Sequence, residues 1–134
     1  MTIKFNVREK GQPGVVGGGT KKFYAAIVTD GETTLDDIVK DIEKFSSLSE
    51  PDIRGVIIAL ENVIQNKLSE GRIVRLEKLG SLYPTLSSEG KDTADEVNSG
   101  SIKEVSINYR PGDRLKKAIN DAGFKKVERN EPQR

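Results

Sequence analysis

The sequence predicts an α+β fold, on three observations: strand-like alternation at residues 3–7 and 102–109, helical periodicity from residue 35 to 68, and glycine- or proline-marked breaks between them. Its 134 residues suffice for one small domain with an extension, but not for two independent cores. Hydrophobic residues make up 34% and charged residues 32%, which implies much surface for the size and burial against a second chain.

The first strand pair is read from Ile3, Phe5 and Val7, which alternate with Lys4, Asn6 and Arg8, and from the β-rich run KKFYAAIV. The glycine-rich stretch GQPGVVGGGT joins them as a mobile hairpin loop. Gly14 and Gly19 have the spacing of the glycines in a phosphate-binding P-loop, but Thr20-Lys21 reverses the required Lys-Ser/Thr order and a strand follows, so nucleotide binding is not expected.

From Thr33 the period changes. Leu35, Ile38, Val39, Ile42 and Phe45 mark a helix over about residues 34–46, with Asp36 and Asp37 in the first turn, where the helix dipole favours anions. Those aspartates read as helix-start residues, not as an acid/base pair, because no partner base is near. Ser49-Glu-Pro-Asp then caps a long second helix whose apolar positions run from Ile53 through Val56, Ile57, Leu60 and Ile64 to Leu68, and Gly71 ends it. Ile58 and Val63 widen that stripe, so the helix should bury two sides.

RIVRLEKLGSLYPTL reads as a β-run in which Gly80 marks a bulge or a close backbone approach and Pro84 an edge or bend. SSEGKDTADEVNSG is polar and turn-rich. The returning strand over residues 102–109 should point Val105, Ile107 and Tyr109 inward, and Leu115, Ala118, Ile119 and Ala122 give a short third helix closed by Gly123. The Glu-Pro-Gln-Arg end is expected to fray.

Without cysteine or histidine the chain forms no disulfide, thiolate or imidazole metal site, or histidine-based triad, so no catalytic residue, metal or cofactor is expected and an enzyme is disfavoured. No window approaches the roughly 18 apolar residues of a membrane span, and the start lacks a signal-peptide core; a cytoplasmic protein is the expectation. Charge is uneven. Residues 86–104 carry five acids and two bases, whereas residues 109–129 carry seven bases and three acids.

Two stretches resemble the HU and integration host factor family of bacterial histone-like proteins: EGRIVRLEKLGSL at residues 70–82 and YRPGDRLK at residues 109–116. The resemblance implies an HU-like domain over residues 33–123, an N-terminal β-hairpin extension over 1–32 and a basic tail over 124–134, including Lys125, Lys126 and Arg129. It also implies an intertwined homodimer with a helical base, a saddle of two three-stranded sheets and β-arms embracing duplex DNA. Leu79, Leu82 and Tyr109 fall at positions of the dimer core.

At the Arg-Pro-Gly junction, Pro111 stops a strand and Gly112 permits a tight path, while Arg110, Arg114, Lys116 and Lys117 supply charge for phosphate. Arg72, Arg75 and Lys78 are further candidates for the saddle floor. The expected partner is double-stranded DNA, bound without base reading by a nucleoid-associated protein, with no membrane and no small-molecule substrate. The arm departs from the family: it is acidic and holds no proline between Ser87 and Arg110, where the family carries bases and a wedging tip proline. The alternative is therefore an HU-like scaffold that has lost DNA and binds protein.

Overall fold

The computed structural model of the chain describes residues 1–12 and 14–128. The tail charge expected at Arg129 and the fraying expected at residues 131–134 lie outside the described residues. In chain order the elements are β1 (Thr2–Lys10), β2 (Lys22–Val28), α1 (Leu35–Phe45), α2 (Glu50–Ser69), β3 (Val74–Arg75), β4 (Ser81–Ser88), β5 (Ile102–Arg110), α3 (Asp113–Asp121) and β6 (Gly123–Lys126). They form an α+β chain with two three-stranded sheets, ordered β2-β1-β6 and β3-β4-β5. The chain divides into two compact units, one spanning Leu35–Lys117 and the other joining Met1–Thr34 to the segment from Ala118 onward.

In the central unit, α1 starts with Asp36 and Asp37 in its first turn. The Ser49 side chain caps α2: its oxygen accepts from the Asp52 N–H at 3.4 Å and its hydroxyl donates to Asp52 Oδ2 at 2.8 Å, with Pro51 in the first turn. At the other end the Gly71 N–H returns to the Leu68 carbonyl at 2.9 Å, and Gly71 has φ +78°, the left-handed conformation that terminates helices. Asp36 pairs with Arg54 across the two helices, and that hydrogen bond, then the carboxylate charge, raises the guanidinium pKa above its ordinary value.

The run at residues 72–86 is not one strand. β3 holds two residues; a 3₁₀ turn at Glu77–Leu79, with Glu77 at φ +53°, reverses the chain into β4. β4 lies between its neighbours but pairs with β3 only at Ser81 and Leu82. Beyond Leu82 that side of β4 has no partner in its sheet, so Pro84 sits where the missing donor is tolerated. β4 and β5 pair as far as Ser88↔Ile102, with an irregularity at Ser87/Ser88.

Past that point the chain forms a folded loop, not an extended arm. The Glu89 N–H donates to the Ser101 carbonyl at 2.8 Å, 3₁₀ turns lie at Ala94–Glu96 and Ser99–Ser101, and Asn98 and Ser101 cap one another reciprocally.

The second unit contains the expected hairpin, with β1 and β2 paired antiparallel from Lys4↔Val28 to Lys10↔Lys22. It also contains β6, which the sequence reading assigned to the tail. β6 pairs parallel to β1 from Thr2↔Gly123 to Phe5↔Lys126, and the Val127 N–H adds a bond to the Phe5 carbonyl at 2.8 Å. The hairpin is thus completed by residues from the far end of the chain, and the unit boundary falls inside α3, between Lys117 and Ala118.

Two faces expected to be covered remain exposed in the single chain. Val105, Ile107 and Tyr109 were expected to point into a core, yet they are 67%, 57% and 53% exposed in the single chain. The second helix was expected to bury two sides, yet of its apolar residues only Ile53 is buried. Among the described residues Val39 and Ile53 are the only buried hydrophobic side chains. Both expectations rested on period, which says which residues share a face but not whether one chain can cover it.

Candidate functional site

The register of β3, β4 and β5 sorts their residues onto two faces. Val74↔Leu82↔Tyr109, Pro84↔Ile107 and Leu86↔Val105 fall on one, which is apolar. Pro84, Val105 and Ile107 line a groove of about 700 Å³ whose other wall is α2, through Ile57, Leu60 and Ile64. Leu82 and Tyr109 lie on this face, and the Tyr109 hydroxyl donates to the Leu79 carbonyl at 2.6 Å, so the three residues expected at a dimer core are neighbours.

The opposite face is polar, and Arg75, Ser81 and Arg110 form one row across its three strands. Two guanidinium-bearing strands thus flank a short serine, which leaves both side chains room to reach outward. Arg110 is held over the Tyr83 ring with its Cζ 5.6 Å from the centroid, a cation–π arrangement that orients the guanidinium without neutralising it. The sheet's polar face becomes acidic only at the far end, where Ser87 pairs with Glu104.

The Arg-Pro-Gly junction is fixed by backbone crowding. Gly80 has φ +114°, and a Cβ there would run into the Arg110 carbonyl oxygen and come within 2.9 Å of the Tyr109 ring. A Cβ on Gly112 would run into the carbonyl of Lys78. The turn at Glu77–Leu79 and the junction are therefore pressed main chain to main chain, which only two glycines allow. Close approach, not turn conformation, is what the junction glycine supplies. α3 begins directly after it, with the Lys116 N–H donating to the Gly112 carbonyl at 3.1 Å.

The sequence-predicted site residues separate under this geometry. Arg75 and Arg110 share one row, while Lys78 is exposed in the turn and meets Gly112 through its backbone. Pro111 and Gly112 are half-buried at the strand end. Arg114, Lys116 and Lys117 are exposed along α3, but Asp113 already places a carboxylate in that helix's first turn, so the phosphate-attracting charge comes from side chains more than from the helix start. Arg72 is exposed between α2 and β3 and belongs to neither sheet face. Sequence reasoning missed Ser81 and Tyr83, whose roles depend on register; their period-two spacing from each other was the available signal. Among the described residues no group of three Asp or Glu side chains is placed to hold a metal ion.

A search of curated proteins gives no match. Among solved structures, one from Bacteroides vulgatus ATCC 8482, provisionally described as a bacterial DNA-binding protein, superposes with TM-score 0.66 at 14% identity. The alignment covers 94% of this chain and 48% of that one, so this chain spans about half the length of that neighbour and shares its fold over that part. A family model for an HU domain fused to wHTH, Ig or a glycine-rich motif matches residues 1–126. The match takes in both the N-terminal hairpin and β6. The chain belongs to this HU-HIG family.

Proposed function

We propose that this chain is a non-enzymatic, cytoplasmic, nucleoid-associated protein that binds double-stranded DNA as a homodimer, through phosphate contacts and without reading sequence. The observation that carries the reading is the Arg75–Ser81–Arg110 row, with Arg110 set over Tyr83 and the bases of α3 following directly. Guanidinium groups recognise phosphate by bidentate hydrogen bonds and charge, contacts that carry no sequence information. Family membership and the similarity to a protein provisionally described as DNA-binding support it.

Homodimer formation is supported by exposed apolar surface. Leu86, Val105, Ile107 and Tyr109 on the apolar face of β4 and β5 are all more than half exposed, and with the groove beside α2 they form a surface that a second copy would cover.

Titration into a random-sequence duplex at several salt concentrations tests the DNA reading. Affinity should fall steeply with salt, by a log–log slope of about −0.9 per phosphate neutralised. Arg110→Glu with Lys116→Glu should weaken duplex binding sharply while leaving the oligomeric state unchanged; unaltered affinity would remove the junction from the site. The second reading, a scaffold that binds protein, is favoured by Glu89, Asp92, Asp95 and Glu96 in the loop between β4 and β5. It would be supported by no duplex binding at low salt.

A further inference from the structure

The β2-β1-β6 sheet is sorted by its register into two faces of opposite chemistry. On one lie Ile3, Phe5, Val7, Phe23, Ile27 and Phe124, edged by Glu9 and Lys126. The other carries Lys4, Arg8 and Lys10 from β1, Lys22 and Tyr24 from β2, and Lys125 from β6. Over the paired residues this second face has five cations and no carboxylate. Beyond the paired residues, Asp30 lies past the end of β2 and pairs with Lys4 at 3.1 Å.

Two features distinguish this face from a solvated surface that happens to be basic. First, like charges stand directly opposite across the strands at Lys10↔Lys22, an arrangement that destabilises a sheet unless something anionic relieves it, and again at Lys4↔Lys125, where Asp30 supplies one such anion to Lys4. Second, the face has a buried polar anchor. Asn6 is 3% exposed, and its Oδ1 accepts from Arg8 Nε at 3.3 Å, which ties the guanidinium stem beside its cross-strand neighbour Tyr24. A fixed arginine next to a partly exposed aromatic ring, amid flexible lysines, suits an extended anion with flat groups attached better than a single small ion.

We propose that this face is a second polyanion-binding surface, taking the phosphodiester backbone of nucleic acid through Lys10, Lys22, Lys125 and Arg8. It rests on the DNA-binding reading for the identity of the polyanion but shares no residue with the Arg75–Arg110 row. Adding a separate cationic face increases the number of phosphates neutralised, so the chain's salt dependence is steeper than the junction alone provides.

The test uses the full chain with Lys10→Gln, Lys22→Gln and Lys125→Gln combined, a variant that removes both like-charge pairs and leaves Arg8 and Asn6 in place. Its melting temperature should equal or exceed that of the parent. Duplex affinity near 0.1 M salt should fall at least about tenfold, and the log–log salt slope should become shallower by about 2 to 3.

Unchanged affinity and slope in a folded variant, beside a parent that binds, would overturn this surface and leave the junction reading intact. No duplex binding by the parent at low salt would overturn both. A lower melting temperature with unchanged binding would show the lysines to be structural, which also overturns the proposal. Vesicles of phosphatidylserine and phosphatidylcholine form the last arm: lysine-dependent binding to these, with duplex binding unaffected, would assign the face to a lipid surface and refute the nucleic-acid assignment.

Discussion

The two three-stranded sheets differ in how their third strand is held. In β3-β4-β5 the critical joints are local: the 3₁₀ turn and the Arg-Pro-Gly junction meet backbone to backbone, and two glycines exist there because no side chain fits. In β2-β1-β6 no main-chain approach is as tight: a Cβ on Gly11, in the loop between β1 and β2, would meet the Gly18 backbone at 3.0 Å. Gly31 has φ +94° with no atom within 4 Å of its would-be Cβ, and the sheet is completed by pairing that spans nearly the whole chain. One sheet is specified by steric fit at a joint, the other by register between distant segments. That contrast explains why a short motif can announce the first and nothing so compact announces the second.

The largest effect that could break the comparison comes from the apolar face of the first sheet. Leu82→Asp places a carboxylate beside Val74 and Tyr109 on the surface assigned to a second copy, and burying it there would cost several kcal/mol. The expected outcome is a monomer by light scattering. A folded, undiminished dimer would mean that this face is not the interface.

Gly80→Ala comes next. It combines an unfavourable φ with collision against the Arg110 carbonyl, and should cost about 2–4 kcal/mol in urea denaturation. Gly31→Ala carries the backbone strain without the collision and should cost about 1 kcal/mol. Equal costs would show that crowding at the joint contributes nothing, and the contrast between the sheets would lose its basis. The smallest effect is expected from Tyr109→Phe, which removes the hydroxyl bond to the Leu79 carbonyl on a half-exposed ring and should cost about 1 kcal/mol or less.

What could be read from the sequence follows the same division. Both long helices are visible because periodicity and capping are local: Ser49, Pro51 and Gly71 mark α2 to within a residue or two. The close approach at Gly80 and the strand stop at Pro111 are visible for the same reason.

The break at Glu77–Leu79 is hidden, since Leu76 and Leu79 continue an apolar run and nothing in a glutamate signals a positive φ. β6 is hidden too, because Gly-Phe-Lys-Lys has no alternation and its partner lies at the other end of the chain. At the candidate site, each arginine is visible as a charge. The row that joins Arg75 to Arg110 requires knowing which residue of β4 lies between them, and no single strand contains that information.

The parallel pairing of β6 with β1 also sets a schedule during synthesis. A hairpin of β1 and β2 can close within microseconds of leaving the ribosome, but the strand that completes its sheet follows roughly a hundred residues later, about 5–20 s at ordinary elongation rates. Throughout that interval the β1 edge presents unpaired amide and carbonyl groups beside Phe5, Phe23 and Ile27, to neighbouring nascent chains on the same message as much as to its own. Lys4, Arg8 and Lys10 lie along that waiting edge, and their mutual repulsion between copies would keep two unfinished sheets from joining before β6 arrives.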